Sequence, residues 1–279
     1  MKKYTLAWMT LLVVAVWVGN YAYYDRHKLA EPVFLDHFYD VTASSGSFLD
    51  LYYVTHRDEP RELIMVQPSE DIRWPVQGVS TFGDYGPYRV NKATVQLGRS
   101  GDPLPPEAYH VFTELKGWFK QGGGMNGSVG RIILRPPTVQ DSLLSGLMSR
   151  GSSNGEYEYV MQAKEDLRIL TVSHTLEQQL RERLVFSVHK TMSEELGVPM
   201  ELKQGESVTV EQSFGMEKEA GQEVRMNPVL GELKLELHAV GRPDSWQSWS
   251  ISGGLGPWPD RKGIKALIER KGGGISDGG

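Results

Sequence analysis

The uncharged run from Tyr4 to Tyr24 constrains this chain more than any other feature. Lys2 and Lys3 precede it, and Asp25-Arg26-His27-Lys28 follows. A helix rises about 1.5 Å per residue, so roughly 20 residues cross the hydrocarbon core of a bilayer. The run has that length, and its centre, Leu11 to Val18, carries no charged or amide side chain. Tyr21, Tyr23 and Tyr24 stand where an outer aromatic belt would lie, and Tyr4 and Trp8 near the inner one. Two lysines before the run place it with positive charge inside. The expectation is a membrane anchor over 4–24, a cytoplasmic tip of 1–3, and everything from Asp25 onward outside the cell. The rival reading is a cleaved secretory signal, which needs a small-x-small cleavage site. The best such site follows Ala22, puts Asn20 at the upstream position and is crowded by Trp17, Tyr21, Tyr23 and Tyr24. The anchor is therefore favoured, with secretion the outcome if cleavage occurs. A cytoplasmic tip this short leaves no room for a kinase or DNA-binding module there.

The chain has 279 residues and a formal charge of −5. The part beyond the anchor is large enough for one big β domain or two small ones. Its modest acidic excess argues against general nucleic-acid binding. There is no cysteine, which removes disulfides, thiolate metal sites, iron–sulfur clusters and a thiol nucleophile together. A cysteine-free exported domain points to a bacterial cell envelope.

Past a polar stalk, 25–32, the period changes from helical to two-residue. Val33 to Val41 and Ser47 to Val54 are rich in aromatic and β-branched residues and read as a hairpin or neighbouring strands. Leu63–Val66, Tyr88–Leu97, Val129–Leu134, Tyr157–Ala163, Leu167–Val172, Leu184–His189, Val208–Phe214 and Trp246–Ile251 follow as strands, and Ala108–Lys120, which also fits a helical face through Ala108, Phe112, Leu115 and Phe119, is favoured as a strand. Leu233, Leu235, Leu237 and Ala239 alternate with Lys234, Glu236 and His238, the cleanest half-buried strand. Residues 141–148 read as a short helix or linker, and 138–155 as a subdomain boundary. Leu176, Leu180 and Leu184 recur every four residues, a helical turn or two. Asp260 to Lys271 predicts a helix with Ile264, Leu267 and Ile268 on one face and cations on the rest. Residues 272–279 predict a disordered tail. Many short strands with little helix define an antiparallel sandwich-like domain over 33–271, mainly β, with a short C-terminal helix.

No catalytic, metal or cofactor pattern emerges. The seven histidines lack metal-ligand spacing. The cluster Asp36-His37-Phe38-Tyr39-Asp40 reads as an exposed strand next to the stalk. No nucleophile elbow is present, and the glycine runs, Asn126-Gly127 included, read as hairpin turns. The aromatic residues are more informative. Arg73-Trp74-Pro75 and Gly256-Pro257-Trp258-Pro259 read as exposed loop tips, which makes Trp74 and Trp258 the candidate binding residues. The expected partners are membrane lipid, through the N-terminal helix, and another membrane or envelope protein. The expected role is binding or accessory. An envelope hydrolase acting on glycan or peptide, and a lateral sensor beside a membrane kinase or transporter, are the alternatives.

Overall fold

The computed structural model describes residues 2–26, 28–43, 46–97, 110–136, 142–152, 155–180, 184–190, 198–215, 226–242 and 245–272. The expected tail from 273 onward lies outside them. The chain is mainly β, with several sheets and a short C-terminal helix. Helix α1 (Lys2–Arg26) comes first. Eight strands follow: β1 (Val33–Phe34), β2 (His37–Thr42), β3 (Phe48–His56), β4 (Leu63–Gln67), β5 (Trp74–Tyr85), β6 (Tyr88–Gln96), β7 (His110–Phe119) and β8 (Gly124–Arg135). The second half holds β9 (Leu144–Gly151), β10 (Glu156–Ala163), β11 (Leu167–His174), α2 (Glu177–Leu180), β12 (Leu184–Lys190), β13 (Met200–Leu202), β14 (Ser207–Phe214), β15 (Val229–Ala239), β16 (Gln247–Leu255) and α3 (Arg261–Arg270).

A hydrogen-bonded path runs β1-β3-β6-β5-β4-β7-β8-β2-β15-β11-β13, with β16 added to β15, and a separate sheet runs β12-β14-β10-β9. Strand β5 turns the path from one layer to the next. Its first residues pair with β4 and the rest with β6, with register shifts at Val76/Gly78 and Thr81/Gly83. Such bulges bend a strand. The two layers enclose Leu51, Tyr53, Trp74, Val95, Leu115, Ile132 and Leu134. A second cluster draws on Met161, Leu167, Ile169, Val208, Val210, Leu233, Leu235 and Leu237, all from β10 onward.

The alternation read in β15 holds: Leu233, Leu235, Leu237 and Ala239 are buried. β7 is a strand and α2 a helical turn, as the spacing predicts. Four expectations are corrected. β1 and β2 do not form one strand pairing with β3: only β1 pairs with it, and β2 leaves for β8 and β15, parallel to both. The sheets are thus antiparallel except at β2. Residues 144–151 form the edge strand β9 rather than a helix or linker, because β10 offers a complete backbone edge to pair with. Asn126-Gly127 lies inside β8, where a Cβ on Gly127 would come 3.0 Å from the Phe34 ring. Finally, the residues read as a free stalk lie on the domain. Leu29 is buried, Lys28 pairs with Glu59 at 2.7 Å, and Arg61 donates to the Ala30 carbonyl.

Among the described residues, no helix is long and apolar enough to cross a membrane. From Trp8 to Tyr23, however, α1 is exposed on every side and has no apolar stripe.

Candidate binding surface

The two candidate tryptophans separate. Trp74 opens β5 and is fully buried, 0% exposed, with its ring edge-on to Phe112 at 5.4 Å. The reading of Trp74 as an exposed loop tip is corrected: Pro75 follows it inside a strand, pairing with Met65 of β4, and the indole fills the core. Trp258 is 50% exposed and sits between Pro257 and Pro259. Pro257 is buried, so the turn is rooted while the indole projects.

The segment leads directly into α3. Asp260 has extended backbone and its carboxylate accepts from the Gly263 N–H at 2.7 Å, an N-cap that starts the helix. Ile264, Leu267 and Ile268 then turn onto the outer face of β3 and β6 and pack with Tyr52, Val54, Tyr88 and Val90. This explains why β3 is apolar on both faces: Leu49, Leu51 and Tyr53 point to the sandwich core, while Tyr52 and Val54 point to α3. Arg261, Lys262, Lys265 and Arg270 remain exposed.

The end of α1 meets the same surface. Tyr24 packs edge-on against His56 at 4.9 Å, and Arg261 donates to the Tyr23 hydroxyl. The β5–β6 turn closes over Arg261 through Gly86, whose φ of 70° only glycine adopts freely and whose Cβ, if present, would lie 3.0 Å from the guanidinium. At the other end of α3, Lys271 donates to the carbonyls of Phe34 and Ser128 at 2.8 and 2.7 Å and pairs with Asp36 at 2.6 Å. Burial lowers its pKa, and the Asp36 carboxylate opposes that shift. Arg261, three residues after Trp258, thus ties the start of α3 to the exit of α1.

Two histidines, His37 and His174, are buried and hydrogen-bonded within the fold. His37 is fully buried rather than on an exposed strand. Its Nε2 accepts from the Tyr52 N–H at 2.9 Å, so Nδ1 carries the proton and donates to the Val129 carbonyl at 3.3 Å. Desolvation, aided by the Lys271 charge, pushes its pKa down to about 3. His174 plays the same part in the second half. Its Nδ1 accepts from Leu176 N–H at 3.1 Å, Nε2 lies 3.0 Å from the Gln212 amide, and burial lowers its pKa to about 4 against the pull of Asp40.

Sequence reading missed one constellation. Strand pairing brings Ser187 of β12 beside Glu211 of β14, and Glu211 beside Glu158 of β10, in an open groove of about 430 Å³ that Arg150 also lines. Ser187 Oγ lies 2.8 Å from His189 Nε2, and that same nitrogen is 3.6 Å from Glu211. A nucleophile relay needs the acid on one ring nitrogen and the serine on the other. Here both face one nitrogen on an open sheet, so the set does not form a relay. Residues 24 positions apart become neighbours only through β12–β14 register, a signal no local motif carries. Among the described residues, no group of three or more His, Asp or Glu side chains is placed to hold a metal ion.

No family model matches the chain, and no curated protein is similar to it. Among solved structures it is similar to a protein of unknown function from Porphyromonas gingivalis W83, at 12% identity over 79% of this chain and 98% of the other, with a TM-score of 0.21. A chicken TCR is similar at 11% identity over 81% and 99%, with a TM-score of 0.20. Likeness this faint carries no functional argument.

Proposed function

We propose that this chain is an N-terminally anchored, extracytoplasmic protein of the cell envelope that acts by binding, as an accessory or structural part of an assembly. The observation that carries the reading is the isolation of α1. Leu11, Leu12, Val13, Val14, Val16 and Val18 are all exposed, and among the described residues the ring contact of Tyr24 with His56 and the bond of Arg261 to Tyr23 both lie at the last turn of α1. Leaving such side chains in water costs about 1.5–3 kcal/mol each relative to full burial. A helix apolar all round belongs in a core or a bilayer, and the strands offer it no core. Its purely apolar centre is shorter than the hydrocarbon layer. Insertion therefore draws Tyr21, Tyr23 and Trp8 to the interfaces, with a modest mismatch cost.

The test is fractionation of cells making the full chain. Integral α1 keeps the protein in membranes through an alkaline carbonate wash, and detergent releases it. Protease added to wall-stripped cells then removes the β domain. Release by carbonate alone, or survival of the domain, ends the reading.

A further inference from the structure

The surface around Trp258 joins three features at the foot of α1. Arg261 bonds the hydroxyl of Tyr23, at the last turn of the apolar helix. Lys262 and Lys265 follow on the exposed side of α3, and Trp258 stands half-exposed just before its N-cap. We propose that Trp258, Arg261, Lys262 and Lys265 form a face that lies on the anionic phospholipid headgroups of the membrane α1 enters, fixing the tilt of the β domain. This rests on the anchored reading above and names the partner of the same surface.

Charge supports lipid as the occupant. The chain carries −5 overall, yet helix α3 holds Arg261, Lys262 and Lys265 with Glu269 its one acid, while Arg270 pairs with Asp36 at the far end. Three acids are engaged within the protein. Glu59 pairs with Lys28 at 2.7 Å, Asp58 with Arg57 at 3.4 Å, and Asp260 caps α3. Lys262 makes no ion pair among the described residues, and Lys265 reaches Glu269 only at 3.7 Å with both side chains half-exposed. An exposed pair of that kind is weak and screened by salt, so both lysines stay available to an anionic surface.

The burial pattern sets the mode of contact. Ile264, Leu267 and Ile268 are 0–3% exposed and committed to the sandwich. The helix therefore cannot insert its apolar face as a free interfacial helix does. What remains is electrostatic contact plus one indole, whose amphipathic ring favours the headgroup level. The short tether from Arg26 to Val33 keeps the face beside the bilayer.

The absence of cysteine makes single-site labelling clean. The full chain is reconstituted with a nitroxide at Ala266→Cys, which is exposed on α3 and changes no charge, at Ala15→Cys inside α1, or at Gln204→Cys, exposed in the second half. Relaxation by a water-soluble paramagnetic reagent is compared in zwitterionic and anionic bilayers. The expected result is that the Ala266 label loses about half its accessibility in anionic bilayers and regains it at high salt, as screening requires. The Gln204 label is unchanged. Lys262→Glu with Lys265→Glu abolishes the protection while Ala15 stays shielded. If Ala15 is shielded and Ala266 is equally accessible in both bilayers, docking is wrong and anchoring stands. If Ala15 is accessible to the aqueous reagent, both fail.

Discussion

At the scale of single residues, burial separates side chains that look alike in the sequence. Trp74 and Trp258 both sit next to proline, but one fills the core and the other faces solvent. Trp74→Ala is therefore expected to cost about 3–5 kcal/mol in urea unfolding, and Trp258→Ala less than about 0.5 kcal/mol. Equal effects would remove the distinction on which the candidate surface rests. Gly130 is as constrained as Trp74. Its φ is 80°, and a Cβ would lie 2.6 Å from the His37 carbonyl oxygen, so Gly130→Ala combines backbone strain with a backbone clash and should cost about 2 kcal/mol or more. His37 and His174 add a pH dependence of definite sign. Their folded pKa values, about 3 and about 4, lie below the ordinary 6.5. Between those values the unfolded chain binds the extra protons. Each histidine thus lowers stability by about 1.4 kcal/mol per unit as pH falls below about 6.5, down to about 4 for His174 and about 3 for His37. Urea midpoints measured across that window should drop toward acid, and His174→Gln should flatten the slope by one histidine's share. A flat profile in the parent chain would show that neither imidazole is held neutral.

At the scale of elements, α3 works as a clamp on β3 and β6, secured at its far end by Lys271. Ile264→Ala should cost about 2–4 kcal/mol. Lys271→Met removes the donor to two carbonyls and Asp36 and should cost about 1–3 kcal/mol, read as a lower Tm with α1 still attached. No loss for Lys271→Met would mean that water replaces it freely. These elements also show what was legible in advance. The period of Ile264, Leu267 and Ile268 foretold α3, and the alternation of Leu233 to Ala239 foretold β15, because each pattern records one buried face. β3 hid its second cover, since a strand buried on both faces loses its period of two. β9 was illegible for the opposite reason: Ser145 to Gly151 is mostly exposed, carries little apolar pattern, and is held by backbone pairing with β10. Of the candidate surface, Trp258 and the cations of α3 could be read locally. The bond from Arg261 to Tyr23 could not, because it joins residues 238 positions apart.

At the scale of the molecule, strand β15 joins the two large hydrophobic clusters. The first residues of β15 pair with β2, and Leu233 to Ala239 pair with β11. Around that strand runs a polar seam. Glu232 is buried, accepts from the backbone N–H and, at 2.9 Å, the hydroxyl of Thr42, while its own N–H donates to Thr175 Oγ1 at 2.9 Å. Thr175 in turn donates to the Asp40 carbonyl, and the Asp40 carboxylate takes a two-point bond from Arg135 at 2.5 and 2.8 Å. Polar groups placed this deep favour one docking geometry over others, because any slip leaves them unpaired. The halves should then unfold as one cooperative unit. Glu232→Ala strips two Thr42 donors of their acceptor, at about 1–3 kcal/mol each, whereas Glu232→Gln keeps an acceptor for the backbone and a donor for the hydroxyl and should recover most of the loss. Hydrogen exchange distinguishes a shared seam from two independent sandwiches. With Glu232→Ala, amides of β6 in the first half and of β14 in the second should lose protection by the same factor. Faster exchange in β14 with β6 unchanged would show that β15 belongs to the second half alone and that the seam does not couple them.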